Sequence, residues 1–452
     1  MKLSIIPCIL LLLHLLPFII SAQHTENQFS LREAVQYGVE HHLIIQKSDY
    51  ELEIYNQKFR EELSGYLPQI IADAAYTNNL KLITQIIPGE FIGQPGRDQA
   101  VQFGTKYNAS ANIDLTQTII DFEKITGQKI ARQNSRISLL NKQKTIELII
   151  YDIATAYNIS QVALLQQDDI KGNILKIDTL IASMESQVQN GFSIPVDLKR
   201  LQLERTNLQT RLQNAEMEYE QSITLLKYTM AYPLEETIHI EIRSELLPSG
   251  RLLREDLMVR SIDLELLAAQ DEFTALHLRQ MKQSYLPKLS FNFRYGTLAQ
   301  QNNPNIFRTN TNWYPNSLAS LNLSIPIFDG NYKASRVKQL QLEQHQNSLD
   351  IKMQQQALDK DVKNATTKLT ISQSNMATTK ESMDLAEEVY AITYVQFKNG
   401  YTPLKDLLDA NTEIKETQTA FLRAILEVQS AELELLKVTG NIENILKQQS
   451  TQ

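Results

Sequence analysis

The sequence predicts an α+β membrane protein, a duplicated chain in which short strand pairs alternate with very long helical hairpins. Three observations carry this reading. Blocks of sequence recur in the same order in both halves, short segments alternate apolar and polar residues, and two runs of about 70 residues carry few helix breakers. The chain has only 14 Gly and 13 Pro in 452 residues, is 42% hydrophobic and is poor in aromatics, a profile of long helices.

The first element is a leader. Residues 1–22 are expected to be a cleaved signal peptide, with Lys2, an apolar run over 5–20, and Ser21-Ala22 before Gln23. That run is short for a membrane span. Cys8, the only cysteine, lies early in it and not where an acylated cysteine would, so disulfides and thiolate metal sites are not expected. A formal net charge of −8 without a basic stripe argues against nucleic acid. After residue 22 no uncharged apolar run reaches 18 residues, so any membrane spanning falls to strands.

The duplication comes next. Tyr66-Leu67-Pro68 matches Tyr285-Leu286-Pro287, Asp121 falls over Asp329, Gly191 over Gly400 and Asp197 over Asp406. The first repeat is 23–250, with strands at about 68–80 and 106–118, long helices at about 122–190 and 196–230, and a connector at 231–250. The second is 251–452, with strands at about 287–297 and 318–327, long helices at about 329–399 and 403–440, and a short tail. A shorter helical segment, 30–65 or 254–284, leads to each Tyr-Leu-Pro.

The strands follow from period two. In 107–116, Tyr107, Ala109, Ala111, Ile113 and Leu115 alternate with polar residues. Leu289, Phe291, Phe293 and Tyr295 do so in 288–295, and Ala319, Leu321, Leu323 and Ile325 in 319–325. Half-buried strands of a soluble core would look the same locally. Export, the lack of cysteine and the absence of an ordinary amphipathic helix to cover a sheet favour a membrane barrel with a polar lumen. Four strands do not close a barrel, so several copies must contribute; three would give twelve strands.

The helices follow from a heptad. Val362, Leu369, Met376, Met383, Tyr390 and Phe397 alternate with the small Ala365, Ser372, Thr379, Ala386 and Thr393, a coiled-coil seam of large and small knobs. A related stripe runs from Ile149 through Ile153, Ser160, Ile170 and Ile177 to Val188. Each long run turns at a glycine tip into an antiparallel partner. Pro68 and Pro287 precede strands, Pro326 marks a strand end, and Asp121 and Asp329-Gly330 mark the entry to the long helices, Asp329 as a cap.

This arrangement resembles the TolC-like outer-membrane efflux proteins. The resemblance covers the mature chain and rests on the order of Tyr-Leu-Pro, "IPIFDGNY" and the two glycine tips. It implies a homotrimer with a 12-stranded outer-membrane barrel continuous with a periplasmic helical barrel, serving as the exit duct of a tripartite efflux or type I secretion system. Periplasmic adaptor, inner-membrane pump and outer-membrane lipid would be its partners. It implies no enzyme activity and no cofactor.

By the same resemblance, Asp406 and Asp409 would line the periplasmic aperture. Six carboxylates in a trimer would favour cations and raise one another's pKa. The first repeat has Arg200 where a second aspartate would fall after Asp197, so the ring would not be symmetric between halves. The tips Asn190, Gly191, Phe192 and Asn399, Gly400, Tyr401 would touch the adaptor, although a glycine also simply ends a helix. Loops 81–105 and 298–318 would face outside, with Trp313 and Tyr314 at the membrane interface or packing the loop.

No metalloprotease, P-loop or dinucleotide motif is present. His41-His42 reads as the exposed surface of a helix, not as a metal site. A periplasmic coiled-coil scaffold that conducts nothing is the alternative to the duct.

Overall fold

The computed structural model describes residues 28–93, 95–242 and 259–447. The leader with Cys8, the later part of the expected connector and the start of the helix expected from 254 lie outside them.

The described chain opens with β1 (Gln28–Phe29) and α1 (Leu31–His41). Ser30 and Glu33 cap α1 reciprocally: the Ser30 hydroxyl accepts from the Glu33 N–H, and the Glu33 carboxylate accepts from the Ser30 N–H. The helix expected over 30–65 is in fact broken. His42 is extended (φ −67°, ψ 125°), and its Nδ1 accepts from the Ile44 N–H at 3.2 Å to start α2 (Leu43–Ser64). His41 and His42 therefore do not share one helix, because the imidazole supplies a cap that its residue type does not advertise.

After Pro68 come β2 (Gln69–Asn78), a hairpin of β3 (Ile83–Ile87) and β4 (Gln99–Phe103), and β5 (Tyr107–Ile120). The small hairpin lies inside what reads as a loop. Then α3 (Phe122–Gln189) runs about 100 Å at ~1.5 Å per residue and turns into α4 (Pro195–Met230). β6 (His239–Ile240) pairs in parallel with β1. The order then recurs as α5 (Ile262–Gln283), β7 (Lys288–Gln301), β8 (Trp313–Ser324), α6 (Tyr332–Lys398) and α7 (Leu404–Val438), closed by α8 (Asn444–Lys447). β7 and β8 reach further toward their loop than the alternation suggests, leaving 302–312 as the connection.

The main sheet is antiparallel and open, in the order β2-β5-β7-β8. Its register stacks like with like. Leu115 stands opposite Ile70 and Phe293, Ile113 opposite Ala72 and Tyr295, and Phe291 opposite Leu321. No helix is laid across either face, and β2 and β8 are free edges among the described residues.

α3 is the spine of the helical part. It packs against α1, α2, α4, α5 and α7, while α5 is wedged between α3 and α6, and α6 pairs with α7. One 18-residue window of α3 is apolar enough to cross a membrane, but 56% of it is buried within the chain, as in a core helix. Three apolar clusters follow one another along the helices. The first joins α1, α3, α4 and the end of α7 around Ile150, Ile153 and Tyr157, the second joins α6 to α7 around Leu369 and Val428, and the third gathers all four long helices around Ile177, Leu201 and Leu407. Amide pairs across α3 and α7, Gln161 with Gln429 at 3.4 Å and Asn173 with Gln418 at 3.3 Å, add direction where apolar knobs alone would allow a slip.

Candidate functional site

The sheet separates its faces by chemistry. Ile70, Ile113, Tyr295, Leu321 and Leu323 crowd one face, all about half exposed or more. The other carries Asp73, Asn112, Asp114, Asn292, Arg294, Ser320 and Asn322, with Ile71 and Leu318 set among them. There Arg294 grips Asp114 across the strands with two bonds, Nε to Oδ1 at 2.6 Å and Nη2 to Oδ2 at 3.2 Å. A soluble sheet buries its apolar face; here no helix covers it.

The loop end of that apolar face carries an aromatic group. Tyr76 stacks with Tyr107 at 6.3 Å, and Phe307 lies 6.0 Å from Tyr76 and 6.3 Å from Trp313. Ile306, fully buried, sits on Ala109 and Ala299. Trp313 is the first residue of β8, opposite Ala299, so it belongs to the rim of the sheet. Such a belt suits a membrane interface.

At the opposite end of the strands is a collar where they meet the helices. Pro68 and Pro287 stand immediately before β2 and β7. Asp121 caps α3 by accepting from the N–H groups of Glu123 (3.0 Å) and Lys124 (3.3 Å). Lys288 reaches across from β7 to Glu123 at 2.6 Å and to Asp121 at 3.5 Å. The second repeat differs. Asp329 is not the capping residue of α6; that is Asn331, left-handed at φ 66° after a left-handed Gly330, with no side-chain cap. Asp329 instead accepts from the Lys333 N–H at 3.2 Å. The two glycine-asparagine residues shift the helix start while the carboxylate stays near its first turn. Pro326 lies two residues beyond the end of β8.

At the far end of the helices, both tips close with the same bonds. Phe192 N–H donates to Gln187 O at 2.8 Å and Tyr401 N–H to Gln396 O at 2.9 Å, around Gly191 and Gly400, each at φ 77°. Asn190 donates from Nδ2 to Ser186 O at 2.7 Å, and Asn399 ends α6. Phe192 and Tyr401 are 84% and 81% exposed, too bare to be packing residues of the single chain. Met184, Leu198, Phe397 and Leu404 share one cluster, so the tips lie side by side.

Just inside the second tip, Asp406 and Asp409 are both exposed on α7, with Leu404 and Leu407 buried on the opposite face. Asp409 is held by Lys405 at 2.5 Å, and this bond pushes the Lys405 pKa up. Among the described residues Asp406 has no ion pair. The spacing of four permits this pair on one helix face without specifying that it forms. In the first repeat Arg200 binds Asp197 at 3.1 Å. The collar residues and the tip residues thus form two groups at opposite ends of the long helices.

Residues 253–441 match the outer membrane efflux protein family. Across nearly the whole chain the fold is that of solved outer-membrane channels. CusC aligns with a TM-score of 0.71 at 14% identity, covering 90% of this chain and 91% of that one. VceC from Vibrio cholerae aligns at 0.70 and 13%, covering 91% and 96%. The open state of MtrE from Neisseria gonorrhoeae aligns at 0.68 and 15%, covering 91% and 88%. The second repeat thus matches the outer membrane efflux protein family, and the whole chain shares its fold with outer-membrane channels. Over the first repeat the likeness is one of fold alone. No curated protein sequence matches the chain.

Proposed function

We propose that three copies of this chain form an efflux duct through the outer membrane, fed from a periplasmic adaptor and an inner-membrane pump. The bare apolar face of the sheet, backed by a charged polar face, carries the reading. Lipid is the solvent that satisfies the first, and a water-filled lumen satisfies the second. A periplasmic scaffold would have to leave Ile70, Leu321 and Leu323 in water.

The side-by-side packing of copies is supported by the repeat itself. Within the chain α5 lies between α3 and α6, whereas its counterpart α2 touches α3 alone of the two long first helices. The outer flank of α2 carries Leu43, Tyr50 and Ile54, and α6 leaves Leu342, Leu349 and Met353 bare at the end near its strands. A neighbouring α6 against α2 would repeat the contact that α5 already makes. Closing the ring this way also brings β8 of one copy to β2 of the next, and three copies supply twelve strands.

Asp406 and Asp409 form the aperture in this reading, and the exposed Phe192 and Tyr401 of the tips meet the adaptor. The test is conductance and ion selectivity of the detergent-purified protein in planar bilayers. Wild type is expected to pass small, cation-preferring currents. Because Lys405 already offsets Asp409, Asp406→Ala should weaken cation preference more than Asp409→Ala, and the double variant should weaken it most. Selectivity unchanged in the double variant would move the constriction elsewhere; no current from an inserted, folded assembly would sink the open duct.

A further inference from the structure

The two Tyr-Leu-Pro motifs have no part in the duct as described so far. Each follows the last residue of a short helix, since Gly65 ends α2 and Ser284 ends α5. Carbonyls at a helix C-terminus lack partners within the helix and hold the negative end of its dipole. In the first repeat Lys124 Nζ donates to Gly65 O at 2.9 Å and to Thr118 Oγ1 at 3.1 Å. In the second, Lys333 Nζ donates to Ser284 O at 3.0 Å.

These lysines do not occupy the same step of their helices. Lys124 is the third residue of α3 and Lys333 the second of α6, because the caps differ. The ammonium nevertheless finds the matching carbonyl in both halves. The tyrosine of each motif is also engaged. Tyr66 donates its hydroxyl to Asp121 O, and its own carbonyl accepts from Gln117 Nε2 at 2.7 Å. The Tyr285 ring lies 5.1 Å from Lys333 Nζ. The Lys333 side chain is only 15% exposed, so this is not a surface lysine resting on a helix end.

Topology gives the contact its meaning. β2 starts just after Pro68, pairs with β5, and β5 runs into α3. β7 starts just after Pro287, pairs with β8, and β8 leads to α6. Each lysine therefore ties the entrance of a strand pair to the helix that leaves it.

We propose that Lys124 and Lys333, with Tyr66 and Tyr285, form a duplicated latch that closes each strand–helix unit at the collar and keeps the lumen continuous from sheet to helices. They are positioning residues. The functional part rests on the duct reading, while the latch itself does not.

The experiment uses the full-length assembled protein with Lys124→Met, Lys333→Met, both together, and the two Lys→Arg variants. Amide exchange is followed in peptides spanning Tyr66 and Tyr285, with the second tip as internal control, alongside bilayer conductance. In the double Met variant, exchange at the collar should rise by about tenfold or more with the tip unchanged, and the current should break into sub-levels. The Arg variants should behave as wild type. Collar exchange unchanged in the double Met variant would overturn the latch, and so would Arg variants that behave like Met. If the double variant fails to assemble, Lys333→Met alone is read by the same exchange. A wild type without current would remove the duct and leave the exchange result to decide the latch.

Discussion

Glu147 is a carboxyl whose position in the fold sets its chemistry. It lines a cavity of about 160 Å³ with Lys144, Arg260, Asp263, Asp361 and Lys437, where α3, α6, the start of α5 and the end of α7 meet. The nearby cations have other partners: Lys144 holds Asp263 at 2.6 Å, Arg260 holds Glu265 at 2.7 Å, and Lys437 sits 4.1 Å from the Tyr151 ring. Burial, and then the charges of Glu443 and Asp263, push the Glu147 pKa up to about 7 from an ordinary 4.5. The folded state thus keeps a proton that the unfolded chain releases, so stability falls as pH climbs from 4.5 to 7 and is level above. Glu147→Gln should match wild type below about pH 4 and gain on the order of 2 kcal/mol above pH 7, after allowance for solvent screening. Thermal unfolding of both proteins between pH 4 and 8 checks this; a difference that stays constant with pH would rule out Glu147 as the source.

At the scale of elements, the α6–α7 seam can be tested at one knob. Leu369 is fully buried, with Ala365, Ile425 and Val428 in its cluster. Leu369→Ala should cost about 2–5 kcal/mol, read from urea unfolding; a cost below ~1 kcal/mol would mean that the seam runs elsewhere. That seam was legible because a heptad states which residues face a partner. Every one of Val362, Leu369, Met376, Met383, Tyr390 and Phe397 is buried or half-buried, as are the small residues between them. The strands were legible for the same reason, since period two over seven or more residues leaves one face for each chemistry. What escaped depends on contacts that pattern does not encode. The break at His42 needs its ring nitrogen aimed at one N–H, and β3 and β4 are five-residue strands set among glycine and proline. The collar shows the limit most clearly. Asp121 and Asp329 are aligned in sequence, yet two left-handed residues make one a cap and leave the other two residues outside its helix. At the tip, Asp406 and Asp409 were legible as an exposed pair, whereas the claim of Lys405 on one of them required the rotamer.

On the scale of the whole molecule, the arrangement of copies can be caught directly. In a Cys8→Ser background, Tyr50→Cys on α2 and Met353→Cys on α6 should cross-link between copies into a ladder ending at three. Cross-links confined to single chains, or a ladder ending elsewhere, would refute the ring as drawn. One feature of the single copy bears on how such a ring could arise. Among the described residues β2 and β8, ten and twelve residues long, each leave an edge without partners. In hydrocarbon each orphan peptide group costs several kcal/mol, so an open sheet of this size would be disfavoured there by tens of kcal/mol. A lone copy therefore has no stable resting place inside the bilayer. In the proposed ring, joining neighbours and entering the membrane would be one event, and how fast the outer membrane fills would depend on the meeting of copies as well as on their supply.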